Sequence, residues 1–210
     1  MMWDQRYSEP GFAYGTKPNN FLVDASTRLH PASRILCLAE GEGRNAVYLA
    51  GQGHHVIAVD SSAVGLQKAR SLAAGHRVSI DTVVADLNDF VIDPGAYGAI
   101  ISIFCHLPPA LRKTVHRNVC SGLATGGYFI LEGFAQKQMD NDTGGPRHPE
   151  LLLDLEELKR ELAPLDCIHA VETEREVREG SYHCGLGAVV QIIAIKTDSE
   201  GQHQHRRNPP

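Results

Sequence analysis

Several things are scarce in this chain. Its 210 residues hold one Trp, 6% aromatics and fewer bases than acids, 20 Lys and Arg against 25 Asp and Glu. A net charge of −5 provides no basic footprint for a phosphate backbone, so nucleic acid is not an expected partner. No run approaches the roughly 18 apolar residues of a membrane helix, which argues against a membrane partner. The opening MMWDQRYSEPGFAYG puts charges and a proline where a signal peptide needs an apolar stretch, so a cytoplasmic location is expected. Cysteine is sparse too: Cys37, Cys105, Cys120, Cys167 and Cys184 are odd in number and form no C-x-x-C, which excludes a disulfide framework or a zinc knuckle. Buried thiols in a reducing compartment are the expectation. His54, His55, His203 and His205 lack a carboxylate or thiol at ligand spacing, and no metal is expected.

What is present is an alternation of short apolar runs with helical periods. Residues 34–39, 55–60, 78–86, 97–104 and 127–134 read as strands, the first two apolar without a break, as in a parallel sheet covered on both faces. Between them, residues 45–51, 63–74 and 109–123 space apolar side chains at helical intervals, with Ser61 and Ser62 as caps of the second and a proline in the first turn of the third. Asp154 caps a further helix, LEELKREL. Residues 167–180 and 181–196 carry no helix between them and read as an antiparallel edge hairpin turning at Glu179, Gly180 and Ser181. The expected fold is α/β: a Rossmann-like, doubly wound sheet, mostly parallel, over residues 31–197. Residues 1–30 form an N-terminal arm or lid, and 198–210 a disordered tail.

The first strand runs into Glu40-Gly41-Glu42-Gly43-Arg44-Asn45-Ala46, and the second ends in Asp60. Gly41 allows a tight turn, Gly43 a close backbone approach to a ligand, and Ala46 a close helix on the strand. Asp60 is placed to bind ribose, so the loop reads as a site for an adenosine-containing cofactor. A dinucleotide would bring a doubly anionic pyrophosphate against Glu40 and Glu42, whereas S-adenosylmethionine brings an ammonium and a sulfonium. Asp86, ending the third strand, can accept from an adenine amino group while Leu87 packs on the ring. The cofactor set is completed by Ser61, and by Cys105 and His106 at the end of the fourth strand.

These residues resemble the class I S-adenosylmethionine-dependent methyltransferases. LAEGEGRN matches their acidic glycine-rich motif, Val59-Asp60 the second and Val84-Ala85-Asp86-Leu87 the third, while Leu123-Ala124-Thr125-Gly126-Gly127 resembles L-x-P-G-G with Thr for Pro. The resemblance implies a seven-stranded sheet of order 3-2-1-4-5-7-6. GEGRNAVYLA and WDQRYSEPGFAYGTKPNNFL further resemble the tellurite-resistance and thiopurine methyltransferase branch, which implies a small-molecule acceptor such as a thiol, selenium or tellurium species. It also implies that the arm, with Tyr7, Tyr14 and Asn19, folds over the cofactor. Arg44 and Asn45 open the helix below the loop, Arg44 either paired to a loop carboxylate or solvated. His106 and His183 are candidate proton acceptors, and Arg147, in the long polar segment 135–150, a candidate anchor for an anionic acceptor. Two other readings stand beside this one: a non-catalytic cofactor-binding regulatory domain, and a nicotinamide-dependent reductase, which the two loop acids disfavour.

Overall fold

The computed structural model describes residues 2–198; of the expected tail, all beyond Asp198, His203 and His205 included, lies outside the described residues. The chain runs α1 (Met2–Tyr7), α2 (Asn20–Ser26), β1 (Arg34–Leu38), α3 (Arg44–Gly51), β2 (His55–Asp60), α4 (Ala63–His76), β3 (Asp81–Val84), β4 (Tyr97–Ile103), α5 (Pro109–Gly122), β5 (Leu123–Phe134), α6 (Leu155–Glu161), β6 (Asp166–Glu179) and β7 (His183–Ile195). The sheet order is β3-β2-β1-β4-β5-β7-β6, parallel from β3 to β5, with β7 antiparallel to both neighbours.

Alternation within each strand builds two cores. Leu36, Leu38, Ile100, Phe129 and Leu131 face α5 and α6, burying Val115, Val119, Leu158 and Leu162. Their neighbours Ile35, Cys37, Ala99, Ile101 and Ile130 face the opposite layer, with Leu22, Ala46, Leu49 and Leu66. Continuous apolar strands are what a sheet covered on both sides requires. Ser62, not Ser61, caps α4 by accepting from Gly65 N at 3.0 Å, and Asp154 caps α6 by accepting from Glu157 N at 2.8 Å.

Three elements differ from expectation. Residues 78–80 stay outside β3, which at the sheet edge pairs only with Ile57–Asp60 of β2. β5 begins at Leu123, so the glycine pair lies inside the strand, where Gly126 (φ 77°) accompanies an irregularity in the pairing with β4. The arm carries two helices, the second capped by Asn19, whose side chain accepts from Leu22 N at 2.9 Å.

Candidate functional site

The strand order reverses between β1 and β4, and the crevice beyond the carboxyl ends of two such strands is where open α/β sheets hold ligands. Two non-glycine residues take positive φ there, Ala39 (48°) after β1 and Phe104 (52°) after β4. Backbone in this sparsely populated region concentrates at functional sites.

Glu40 Oε1 accepts from Asn45 N (3.0 Å) and Ala46 N (2.7 Å), closing the loop onto the start of α3. Burial raises its carboxyl to about 7 despite those two bonds and Arg44. A cation brought beside it favours the carboxylate. Asp60 accepts from Gly41 N (2.9 Å) through one oxygen and from Ser62 N (2.7 Å) through the other, and burial raises its pKa as well. Each oxygen keeps a second lone pair for a hydroxyl donor.

Other loop residues serve the scaffold. Glu42 accepts from Ala13 N (2.7 Å) and pairs with Lys68 (2.9 Å), so it ties the arm to α4 and faces no ligand directly. Arg44 pairs with Glu179 of β6 at 2.6 Å, a partner outside the loop. Asn45 Oδ1 accepts from Asn19 N. A Cβ on Gly43 (φ 88°) would lie 2.5 Å from Ala69 Cβ, so its glycine is demanded by α4, not by close approach to a ligand. Asp86 is exposed and accepts from Asn88 N at 2.8 Å, capping its own turn, while Leu87 is half-buried against the core. Ser61 is half-buried beside Asp60. The Cys105 thiol, beyond the end of β4, is pushed up to about 12 by burial and by the charge of Asp60.

The arm crosses the crevice. Tyr7 lies over the loop, its hydroxyl 2.6 Å from where a Gly41 Cβ would stand and its ring against Gly65. Burial and the charge of Asp60 raise its pKa. Arg6 donates to the Tyr14 hydroxyl (2.7 Å), and Ser181 N donates to Ala13 O (3.0 Å), fixing the arm to the hairpin turn.

On the far side of the crevice four rings meet: Phe104 lies 4.6 Å from Phe134 and 4.7 Å from His183, and Tyr14 lies 4.6 Å from His183, between ring centres. His106 adjoins them, but its nitrogens are both engaged. Nδ1 donates to Leu151 O (2.9 Å) and Nε2 accepts from Phe134 N (3.4 Å), which fixes the neutral tautomer. Burial lowers its pKa to about 4, and a second ring proton would confront an N–H, so His106 is a wall and not a proton acceptor. Arg147 is exposed and bound to Asp142 and to Asn141 O. The segment 135–150 is pinned by buried Gln138, which accepts from Ala188 N and donates to Thr143 Oγ1 and Gly144 O.

Behind His183 lies a buried polar cluster that the sequence did not reveal. Glu132 accepts from Asn19 Nδ2 (2.7 Å) and Gln191 Nε2 (2.5 Å) and pairs with Arg175; Glu179 accepts from Asn19 Nδ2 (2.9 Å) and Arg44 (2.6 Å). Its members come from five segments, and the pairs local in sequence are Arg175 with Glu179 and Glu179 with His183, each four residues apart.

Glu40 and Asp60 present carboxyl groups to the crevice, and the nearby Lys68 is consumed by Glu42 and the carbonyls of Glu9 and Gly11. Such a lining fits an ammonium and a sulfonium and opposes a pyrophosphate. Among the described residues no helix is long and apolar enough to cross a membrane.

Residues 35–127 match the methyltransferase domain family. Over 121 residues the chain is 31% identical to the 2-heptyl-1-hydroxyquinolin-4(1H)-one methyltransferase of Mycobacteroides abscessus, covering 56% of this chain and 53% of that protein. The match therefore spans about half the length of that curated relative. The fold is similar to TehB of Haemophilus influenzae (TM-score 0.71, 21% identity, 85% of this chain and 62% of that one). It is also similar to a structure described for the conversion of a disulfide bond into a thioacetal group during echinomycin biosynthesis (TM-score 0.75, 14% identity, 97% and 96%). These two likenesses establish the fold. The matched domain and the curated relative give a chain that resembles the class I S-adenosylmethionine-dependent methyltransferases. The cofactor this implies is S-adenosylmethionine.

Proposed function

We propose that the protein transfers a methyl group from S-adenosylmethionine to a small molecule. The observation that carries this reading is the acidic glycine-rich loop, with Glu40 and Asp60, at the switch point of a methyltransferase sheet. Glu40 and Gly41 would hold the methionine part, Asp60 with Ser61 the ribose, and Asp86 with Leu87 the adenine. The cofactor supplies an electrophilic methyl group; the chain's residues align the acceptor with it and exclude water. The branch it resembles supports a thiol, selenium or tellurium acceptor. The rings of Tyr14, Phe104, Phe134 and His183 support a second class, flat aromatic molecules with a nucleophilic heteroatom, in keeping with the quinolone named for the curated relative. A screen of thiols, selenite, tellurite, thiopurines and hydroxylated bicyclic aromatics, read as S-adenosylhomocysteine formed, tests the proposal. Cofactor binding with no turnover across the panel would favour a regulatory domain instead.

Asp60→Ala is expected to weaken S-adenosylmethionine binding by about 1.5–3 kcal/mol, ten- to a hundredfold, through loss of a charged acceptor. Because Asp60 also holds Gly41 N, Asp60→Asn serves as the gentler variant. An unchanged dissociation constant in both folded variants removes Asp60 from the cofactor site.

The arm and the segment 135–150 are assigned as the two covers of the acceptor pocket, one crossing the cofactor loop and the other packing Gly144 against His183. Hydrogen exchange in both is expected to slow when S-adenosylhomocysteine binds. Identical exchange in the free and bound protein would make them fixed walls.

A further inference from the structure

We propose that Glu179 is a positioning residue that orients His183 as the proton acceptor of the reaction, so that the methyl acceptor enters protonated, as an aromatic hydroxyl or thiol, and not as a preformed oxyanion. This rests on the methyl-transfer reading above.

Glu179 and His183 are paired residues across the β6–β7 hairpin, and Glu179 Oε2 lies 3.5 Å from His183 Nδ1. The carboxylate cannot swing away, because Arg44 from α3 holds Oε2 at 2.6 Å while Asn19 from the arm holds Oε1 at 2.9 Å. Nδ1 is buried with no hydrogen-bond partner, so a proton on that nitrogen has the carboxylate as its nearest acceptor. This leaves Nε2 as the basic lone pair, on a ring flanked by Tyr14, Phe104 and Phe134.

The charged and titratable groups facing His183 are Glu179 from β6, Arg44 from α3, Arg6 from α1, Tyr14 from the arm and His106 from the segment after β4. Burial, Arg44 and Arg6 oppose a proton on the ring, and Glu179 is the group that favours it. The cations nearest His183 already have partners, Arg44 in Glu179, Arg175 in Glu132, and Arg6 in the Tyr14 hydroxyl and the face of Tyr182, so none is held free for an oxyanion. As the acceptor's heteroatom bonds to the methyl carbon, its proton passes to Nε2, and the electron pair of the broken carbon–sulfur bond stays on the cofactor's sulfur. The imidazolium returns the proton to water when product leaves.

The test is a histidine ¹⁵N NMR titration of the full chain, with and without S-adenosylhomocysteine, in wild type and Glu179→Gln. His183 is expected to carry its proton on Nδ1, and its midpoint to fall by about one pH unit or more in Glu179→Gln. The acidic limb of kcat/KM should move the same way, with S-adenosylhomocysteine affinity unchanged. His183→Gln, the second variant should Glu179→Gln fail to fold, is expected to slow methylation of naphthol about a hundredfold. The loss on para-nitrothiophenol, which is already ionised, should be at least tenfold smaller than the loss on naphthol, the remainder being the contact of the His183 ring with either acceptor. An unmoved His183 midpoint, or equal losses on both acceptors, would overturn the proposal. Failure of wild type to bind S-adenosylhomocysteine would overturn the methyl-transfer reading instead, with the titration still deciding the Glu179–His183 pair.

Discussion

Glu132→Ala is expected to lower the unfolding free energy by about 3–5 kcal/mol, the cost of removing one member of a buried ion pair. Glu132 is fully buried on β5 and satisfies Arg175, Asn19 and Gln191 together. Without it Arg175 keeps Glu179, at 3.5 Å, as its carboxylate partner, and the buried amide of Asn19 and the half-buried amide of Gln191 each lose an acceptor. Urea unfolding checks this, with Glu132→Gln recovering part of the loss because an amide oxygen still accepts. A change below about 1 kcal/mol would mean that the cluster contributes to placement but little to stability.

Gly43→Val should be comparably severe, and for a reason the sequence does not disclose. Read as a motif, the second glycine of the loop admits a ligand, so the substitution would be expected to abolish binding in a folded protein. In the structure Gly43 has φ 88°, and an added Cβ meets Ala69 Cβ at 2.5 Å and Ala69 Cα at 2.7 Å. The Cα belongs to helix backbone and cannot rotate aside. Left-handed strain of about 1–2 kcal/mol and overpacking of about 1–3 kcal/mol combine to a loss of roughly 2–5 kcal/mol. Thermal and urea unfolding should therefore show the damage before any ligand is added. A variant of wild-type stability that fails to bind would restore the ligand as the reason for the glycine.

That contrast marks what a sequence can and cannot convey here. Strands such as Ile35–Leu38 and Val56–Asp60 were legible because both faces are buried and the apolar run has no gaps. The loop after β1 was legible because strand, glycines, helix and terminal acid follow in order. The occupation of each polar group was not. Glu42 and Glu40 look equivalent in EGEG, yet one bonds its own helix start and the other reaches Ala13 and Lys68. His106 has the place of a base, just beyond β4, and the two backbone groups that take its nitrogens come from β5 and from Leu151, 45 residues away. Arg147 offers a charge, which the neighbouring Asp142 pairs. The Asn19–Glu132–Glu179 cluster spans separations of 113 and 160 residues, and no periodicity or local spacing encodes such pairs.

The central claim is that the loop between β1 and α3 binds a cationic adenosyl cofactor, and calorimetric titration at pH 7 tests it most directly. S-adenosylmethionine is expected to bind with one site per chain and to release a fraction of a proton, seen as a heat that varies with the buffer's ionisation enthalpy. The sign follows from Glu40: raised to about 7 by burial, it is partly protonated in the free protein and loses that proton when an ammonium arrives beside it. NADH should give no binding heat. Saturable binding of NADH with none of S-adenosylmethionine would contradict the account.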